Sequence, residues 1–213
     1  MITQHNIILL FVAYLLGSIP TAVWVGKYFY NIDVREHGSG NAGATNVFRV
    51  LGKKAGIPVL IIDVLKGLFA TLLSTYSNLE NNNSELIHFQ LCLGLAALIG
   101  HIFPVFASFK GGKGIATLLG IIIAIVPSAA LIAISVFLIT LIGSRIVSLS
   151  SMVAALAFPI IIIFIQKTNE IALVIFSISI SIIVIITHRK NIVRLLKNEE
   201  SKISFKSKKQ DVH

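Results

Sequence analysis

The chain has 213 residues, of which 55% are hydrophobic and only 13% charged, with a mean hydropathy of +0.89; the charged share is about half that of a soluble domain, which excludes a soluble globular fold. A net charge of +9 raises nucleic acid as a partner. Lys and Arg, however, lie in polar stretches between apolar runs and in the C-terminal tail, a distribution that sets membrane topology and excludes nucleic acid.

Apolar runs fall at residues 6–26, 56–77, 87–107, 115–126, 128–143, 147–166 and 170–187. Several reach the roughly 18–20 residues that cross about 30 Å of hydrocarbon as helix, and segments alternating as a barrel would are absent. The first run has no basic leader and no small-x-small cleavage site, so it reads as a retained span rather than a secretory signal. Residues 115–143 taken as one helix would be about 43 Å long, too long without steep tilt. Pro127 breaks it, which gives two crossings and a total of seven. A re-entrant hairpin there would give five crossings and the same sidedness.

Arg35, Arg49, Lys53 and Lys54 mark the 31–54 loop, Lys110 and Lys113 the 108–114 turn, and eight Lys or Arg the stretch 188–213. The 78–86 loop has only Glu80 and Glu85. Positive-inside bias therefore predicts an all-α polytopic bundle of seven transmembrane helices, N-terminus outside and C-terminus cytoplasmic. Residues 1–190 form the membrane domain and 191–213 a basic cytoplasmic tail. The only cysteine, Cys92, leaves no intrachain disulfide.

Residues 38–43, Gly38-Ser39-Gly40-Asn41-Ala42-Gly43, match a dinucleotide fingerprint in letters only, because no strand precedes them. Closely spaced glycines still let backbone N–H groups converge on an anion, and a helix starting near Thr45-Asn46 adds its positive end. With Arg35, His37 and Arg49 nearby, the segment reads either as a phosphate cradle or as a flexible turn. Lys110-Gly111-Gly112-Lys113-Gly114 is a second basic glycine turn at a helix start, which reads either as an ordinary positive-inside turn or as a site where Lys113 meets a second phosphate as a point charge. Asp63 and Lys66, three apart within a span, share one helix face, as a buried structural pair or as support for the cradle. His101 and His188 are rival general bases at the cytoplasmic side. Arg145, Ser148 and Ser150 form another polar turn, and Ser18 either donates to substrate or caps its own helix. No carboxylate or cysteine cluster suggests a metal, and no G-x-S-x-G elbow suggests a serine hydrolase.

Gly17-Ser18-Ile19-Pro20, the run Arg35–Gly52 and the run Gly100–Thr117 together resemble the bacterial PlsY family of acyl-phosphate:glycerol-3-phosphate acyltransferases. So do Asp63, Lys66 and Gly67, Arg145–Ser150, and His188–Leu195, and the resemblance extends from about residue 7 to about residue 200. It departs at Ala22 and Asn198, where the family commonly has Gly. The resemblance implies a multi-pass protein of the cell inner membrane whose active site faces the cytoplasm. It implies transfer of a fatty acyl group from acyl phosphate to the 1-hydroxyl of glycerol 3-phosphate, the first step of phospholipid synthesis. Lysophosphatidic acid and phosphate are the products, with no metal or other cofactor; membrane lipid is the remaining partner.

On that reading Ser18, Arg35, Ser39, Gly40, Asn41, Gly43, Thr45, Asn46, Arg49, Lys110, Gly112, Lys113 and Arg145 bind the substrates or their phosphates. His188, His101, Asn191 and Ser148 are the candidates for catalysis, unless a substrate phosphate oxygen takes the hydroxyl proton itself. A carrier of phosphate esters is the main rival, because it too uses glycine-broken helices. Its binding groups belong near the midplane, where only Asp63 and Lys66 approach. A non-catalytic scaffold leaves Gly-Ser-Gly-Asn beside arginines without a reason.

Overall fold

A computed structural model of the chain describes residues 3–77, 79 and 83–203, and among these every regular element is helical. Glu80 and the tail lysines Lys206, Lys208 and Lys209 lie outside the described residues. The helices are α1 (Gln4–Gly17), α2 (Thr21–Tyr30), α3 (Ala44–Val50), α4 (Lys53–Leu72), α5 (Asn83–Ile102), α6 (Ile115–Ile125), α7 (Pro127–Ser144), α8 (Val147–Ile160), α9 (Ile171–Thr187) and α10 (Arg189–Leu196).

Each of the seven apolar runs is helical, but their lengths differ. Four helices, Lys53–Tyr76, Ser84–Ala107, Pro127–Ser144 and Val147–Ile165, are long and apolar enough to cross a membrane, and up to six if each of two bent pairs counts as one span. One bent pair is α1 with α2, at 42°. The expected single span over 6–26 is therefore broken: Pro20 has no N–H to continue the helix, and Ser18 takes the end of α1 through its own backbone N–H. The other pair is α9 with α10, at 59°. Helix α6 has 11 residues, about 16 Å at helical rise, half the hydrocarbon thickness. Pro127 separates it from α7 and occupies the first turn of the new helix, where a missing N–H costs nothing. Pro159 inside α8 is followed by a π-helical turn over Ile161–Ile165.

Three apolar clusters hold the bundle. Leu118, Ile121, Phe158, Phe176 and Ile180 join α6, α8 and α9. Ala13, Ala70, Leu93 and Ala97 join α1, α4 and α5. Ala22, Val34, Val47, Ala55 and Val59 pack the 31–52 segment against α2 and α4. Outward-facing Phe11, Ile139, Ile142, Phe164 and Ile171 are all exposed, large apolar side chains on the exterior that suit lipid rather than water.

The break between α1 and α2 is tied down by charge. Lys66 Nζ lies 2.9 Å from Asp63 Oδ1, with 4% and 2% of the side chains exposed. It also donates to the Ile19 carbonyl at 3.0 Å, while Thr21 Oγ1 donates to Asp63 at 3.2 Å. Lys66 thus shares the Ile19 carbonyl with Thr21 N at the break, which gives two charges in an apolar layer their partners.

Candidate active site

The 31–52 segment has its own small core and an internal polar knot. Val34 and Val47 are wholly buried. Asn46 is 1% exposed and uses its amide fully. Its Nδ2 donates to the Val34 carbonyl at 2.7 Å and the His37 carbonyl at 3.0 Å, and its Oδ1 accepts from Ser39 N at 2.8 Å and Ser39 Oγ at 3.1 Å. Gly38, at φ +63°, has no room for a side chain, since a Cβ would fall 2.5 Å from Asn46 Oδ1. Asn46 thus shapes the glycine turn and has no atom left over for a ligand. Asn46→Asp, which sets an acceptor against two carbonyls, should lower stability by about 3 kcal/mol and turnover by about tenfold or more; thermal unfolding in detergent and a turnover assay check both.

Arg35 is also committed. Its Nε and Nη2 fork onto Asp33 at 2.9 and 2.7 Å, and Nη1 donates to the Ala107 carbonyl at 3.0 Å. Lys27 adds a second cation 3.3 Å from Asp33. The hydrogen bond from Arg35 holds the Asp33 carboxyl well below the usual carboxylate range, against the upward push of burial, and raises the guanidinium's own pKa. Arg35 is therefore a strut that fastens the first basic loop to the second. It places residues 31–54 and 108–114 on one face of the bundle. An open cleft between them is lined by Asp33, Arg35, Glu36, Gly40, Lys110 and Gly111.

The second turn packs backbone to backbone. Gly111 and Gly112 donate their N–H groups to the carbonyls of Ile102 and His101, both at 3.2 Å. A Cβ on Gly112 would strike His101 Nε2 and sit 3.0 Å from the Ala42 carbonyl, so this glycine is the seam between the two loops and α5. His101 is buried, with Nδ1 3.0 Å from Thr117 Oγ1 and 3.9 Å from Asp63. Asp63 and Lys66 thus stand behind His101 and do not reach the loops.

Lys113 follows on the same turn, half-buried, and its Nζ donates to Asn191 Oδ1. Burial drives its pKa down from the usual lysine range to about 8; Glu200 opposes that shift, and the positive fields of Arg194 and Arg49 add to it. Arg49 itself is exposed on the last turn of α3. His188, 2% exposed at the α9–α10 bend, has Nδ1 2.8 Å from the Val184 carbonyl. A carbonyl can only accept, so Nδ1 carries the proton and Nε2 is the free base.

The remaining candidates divide clearly. Ser39, Gly40, Asn41 and Gly43 form the glycine turn, and Thr45 is exposed on the first turn of α3. Lys110 and Gly112 belong to the facing turn. Ser148, Asn191 and Lys113 gather at the tail around Glu200, which accepts from Ser148 Oγ at 2.9 Å and Asn191 Nδ2 at 2.7 Å. Arg145 caps α7 in the left-handed region, at φ 60°, with its side chain exposed, and its carbonyl accepts from Ile203 N at 2.8 Å. Ser18 is fully buried beneath Gly100, and its hydroxyl has no partner among the described residues. Glu200 is absent from the sequence-based set of site residues. Its one local signal is a carboxylate pair, Glu199-Glu200, in an otherwise cationic stretch.

The sequence matches the family model described as glycerol-3-phosphate acyltransferase over residues 7–198. A Listeria welshimeri protein named glycerol-3-phosphate acyltransferase is 47% identical over 203 residues, 95% of this chain and 99% of its own length. An Enterococcus faecalis protein of the same name is 43% identical over 206 residues, 93% of this chain and 92% of its own. Among solved structures, the glycerol 3-phosphate form of PlsY (YgiH), an integral membrane glycerol 3-phosphate acyltransferase, superposes with a TM-score of 0.84 at 38% identity, covering 94% of this chain and 96% of that one. Its lysophosphatidic acid form gives 0.81 at the same identity and coverage.

Proposed function

The chain belongs to the glycerol-3-phosphate acyltransferase family, and from that premise we propose that it moves a fatty acyl group from acyl phosphate to the 1-hydroxyl of glycerol 3-phosphate. It acts as an enzyme of the cytoplasmic membrane, with seven crossings, the N-terminus outside and both basic turns at the inner leaflet. The observation that carries this reading is Lys113, a half-buried ammonium on a glycine turn, bonded to Asn191 beside buried His188. Two phosphates must be gripped at once. Gly40 and Lys110 line the cleft and face one; Ser39 N–H and O–H are spent on Asn46 and Gly40 N–H on the His37 carbonyl, so those two shape the turn rather than donate to a ligand. Lys113, Arg49 and Asn191 face the other.

The donor is already activated, so no nucleophilic side chain is required. The substrate hydroxyl oxygen bonds to the acyl carbon, the carbon–oxygen bond of the mixed anhydride breaks, and inorganic phosphate leaves with the electron pair. His188 Nε2 accepts the hydroxyl proton, and the cations stabilise the charge on the departing phosphate. Positioning and charge supply most of the rate. Lysophosphatidic acid remains in the membrane.

Purified protein in detergent, given palmitoyl phosphate and glycerol 3-phosphate, should release phosphate only when both are present. Release without the acceptor, or turnover with acyl-CoA in place of acyl phosphate, would defeat the proposal. Lys113 also sets a pH dependence. Its charge is present below about pH 8 and is lost as pH rises through that value. The ratio kcat/KM for glycerol 3-phosphate should therefore fall about tenfold per unit on the alkaline side, since that ratio reports the free enzyme.

A further inference from the structure

We infer that Glu200 is a positioning residue for acyl transfer: its carboxylate fixes which atom of the Asn191 amide meets Lys113. This rests on the reading that Lys113 grips a substrate phosphate.

The carboxylate is built in, not resting on the surface. Only 5% of its side chain is exposed, and Oε2 accepts from Arg194 Nε at 2.7 Å. Oε1 accepts from both Asn191 Nδ2, at 2.7 Å, and Ser148 Oγ, at 2.9 Å. Three donors from α8 and α10 therefore converge on two oxygens. The backbone on either side is equally fixed. Asn198 reverses the chain at φ 58°, Glu199 N donates to the Arg194 carbonyl at 2.8 Å, and Ile203 N donates to the Arg145 carbonyl at 2.8 Å.

The consequence is directional. A carboxylate can only accept, so the atom of Asn191 that faces it must be Nδ2, which leaves Oδ1 toward Lys113. Flipping the amide would set Oδ1 against Glu200 Oε1 and an NH2 against an ammonium, two repulsions for two bonds. The groups around Lys113 are Arg49 of α3, Asn191 and Arg194 of α10, His188 at the bend and Glu200. Glu200 is the anion among them, and it offsets part of the cationic repulsion on Lys113. Burial pushes the Glu200 carboxyl up, but the hydrogen bonds from Arg194, Asn191 and Ser148 outweigh it and hold the group low, so it is ionised at neutral pH.

Glu200→Gln, Glu200→Asp and wild type are compared for kcat and KM over pH 6–9.5. In parallel, the pH midpoint of Lys113 modification by trinitrobenzenesulfonate is read by peptide mass spectrometry, which needs no turnover. E200Q should lose about tenfold in kcat/KM at neutral pH, and both its alkaline limb and its Lys113 midpoint should move to lower pH by about half a unit or more. E200D, which keeps the charge, should hold the wild-type limb and midpoint even where its rate is lower. A merely structural role moves thermal stability but neither midpoint. Unchanged kcat/KM and midpoint in E200Q would overturn the inference. So would a lower KM with undiminished kcat, because the carboxylate would then be an occupant of the site rather than its support. If wild type turns nothing over but the Lys113 midpoint still shifts in E200Q, the acyl-transfer reading fails while the Glu200–Asn191–Lys113 linkage stands. If E200Q does not fold, E200D decides: a wild-type midpoint with reduced kcat/KM supports the inference, and a shifted midpoint overturns it.

Discussion

Gly120→Val should leave no folded enzyme, with a destabilisation above about 4 kcal/mol. A Cβ at Gly120 would lie 1.9 Å from the Val64 carbonyl oxygen and 2.7 Å from Leu68 N; one at Gly67 would lie 2.0 Å from the Thr117 carbonyl oxygen. Each glycine thus opens the space for the other helix's backbone, and α4 and α6 touch main chain to main chain. Without a hydrophobic driving force between helices in lipid, such close approach is what holds a pair together. No rotamer can relieve a clash with backbone, so α6 would have to move away. Lys113 and Gly114 immediately precede α6, and Thr117 holds His101, so the site would move with it. Gly143 is the control: no atom lies within 4 Å of a Cβ there, and Gly143→Ala should hold or raise stability by up to about 1 kcal/mol. Folded yield and thermal midpoint in detergent read both variants.

Lys113→Ala should cut kcat/KM by about 100- to 1000-fold, the loss usual when one preorganised electrostatic contact to the reacting group is removed. Its fold should be intact. An ammonium held in a half-buried site costs folding energy, and its depressed pKa records that cost, so the thermal midpoint should be unchanged or raised. That combination separates Lys113 from Asn46, whose replacement lowers stability and activity together. Lys113→Arg should not restore the rate, because a planar fork cannot sit where a compact ammonium meets a single carbonyl oxygen. Lys110→Ala, at an exposed side chain, should cost far less. Phosphate release measured alongside thermal unfolding checks the set.

The helical segments were legible because apolar length is a strong signal, and Pro127 announced the α6–α7 break. The break at Pro20 is written just as plainly, but a run judged by length alone passes over it. The two glycine turns were legible as a pair, since basic charge marked them for the same side of the membrane. The division of labour within them was not. Arg35 and Arg49 are the same residue type in the same loop, yet Arg35 is consumed by Asp33 and a carbonyl 72 residues away. The Asp33 part of that could be anticipated from spacing; the Ala107 part could not. Asn46 looked like a ligand-binding amide and serves instead as the knot of its own loop, because the four bonds that claim it depend on the turn's three-dimensional path. Glu200 was hidden for the opposite reason. Its partners Ser148, Asn191 and Arg194 lie on two helices, and a carboxylate among lysines ordinarily belongs to a solvated segment.

The ion pair at the α1–α2 break also bears on biogenesis. When α4 leaves the ribosome it carries Asp63 and Lys66 into an apolar setting, and the Ile19 carbonyl and Thr21 hydroxyl that receive them belong to chain made earlier. One acceptor, the Ile19 carbonyl, and one donor, the Thr21 hydroxyl, are in place before the charges arrive. The order of synthesis therefore matches the order of need: the bent α1–α2 pair already holds the partners that the charges of α4 require.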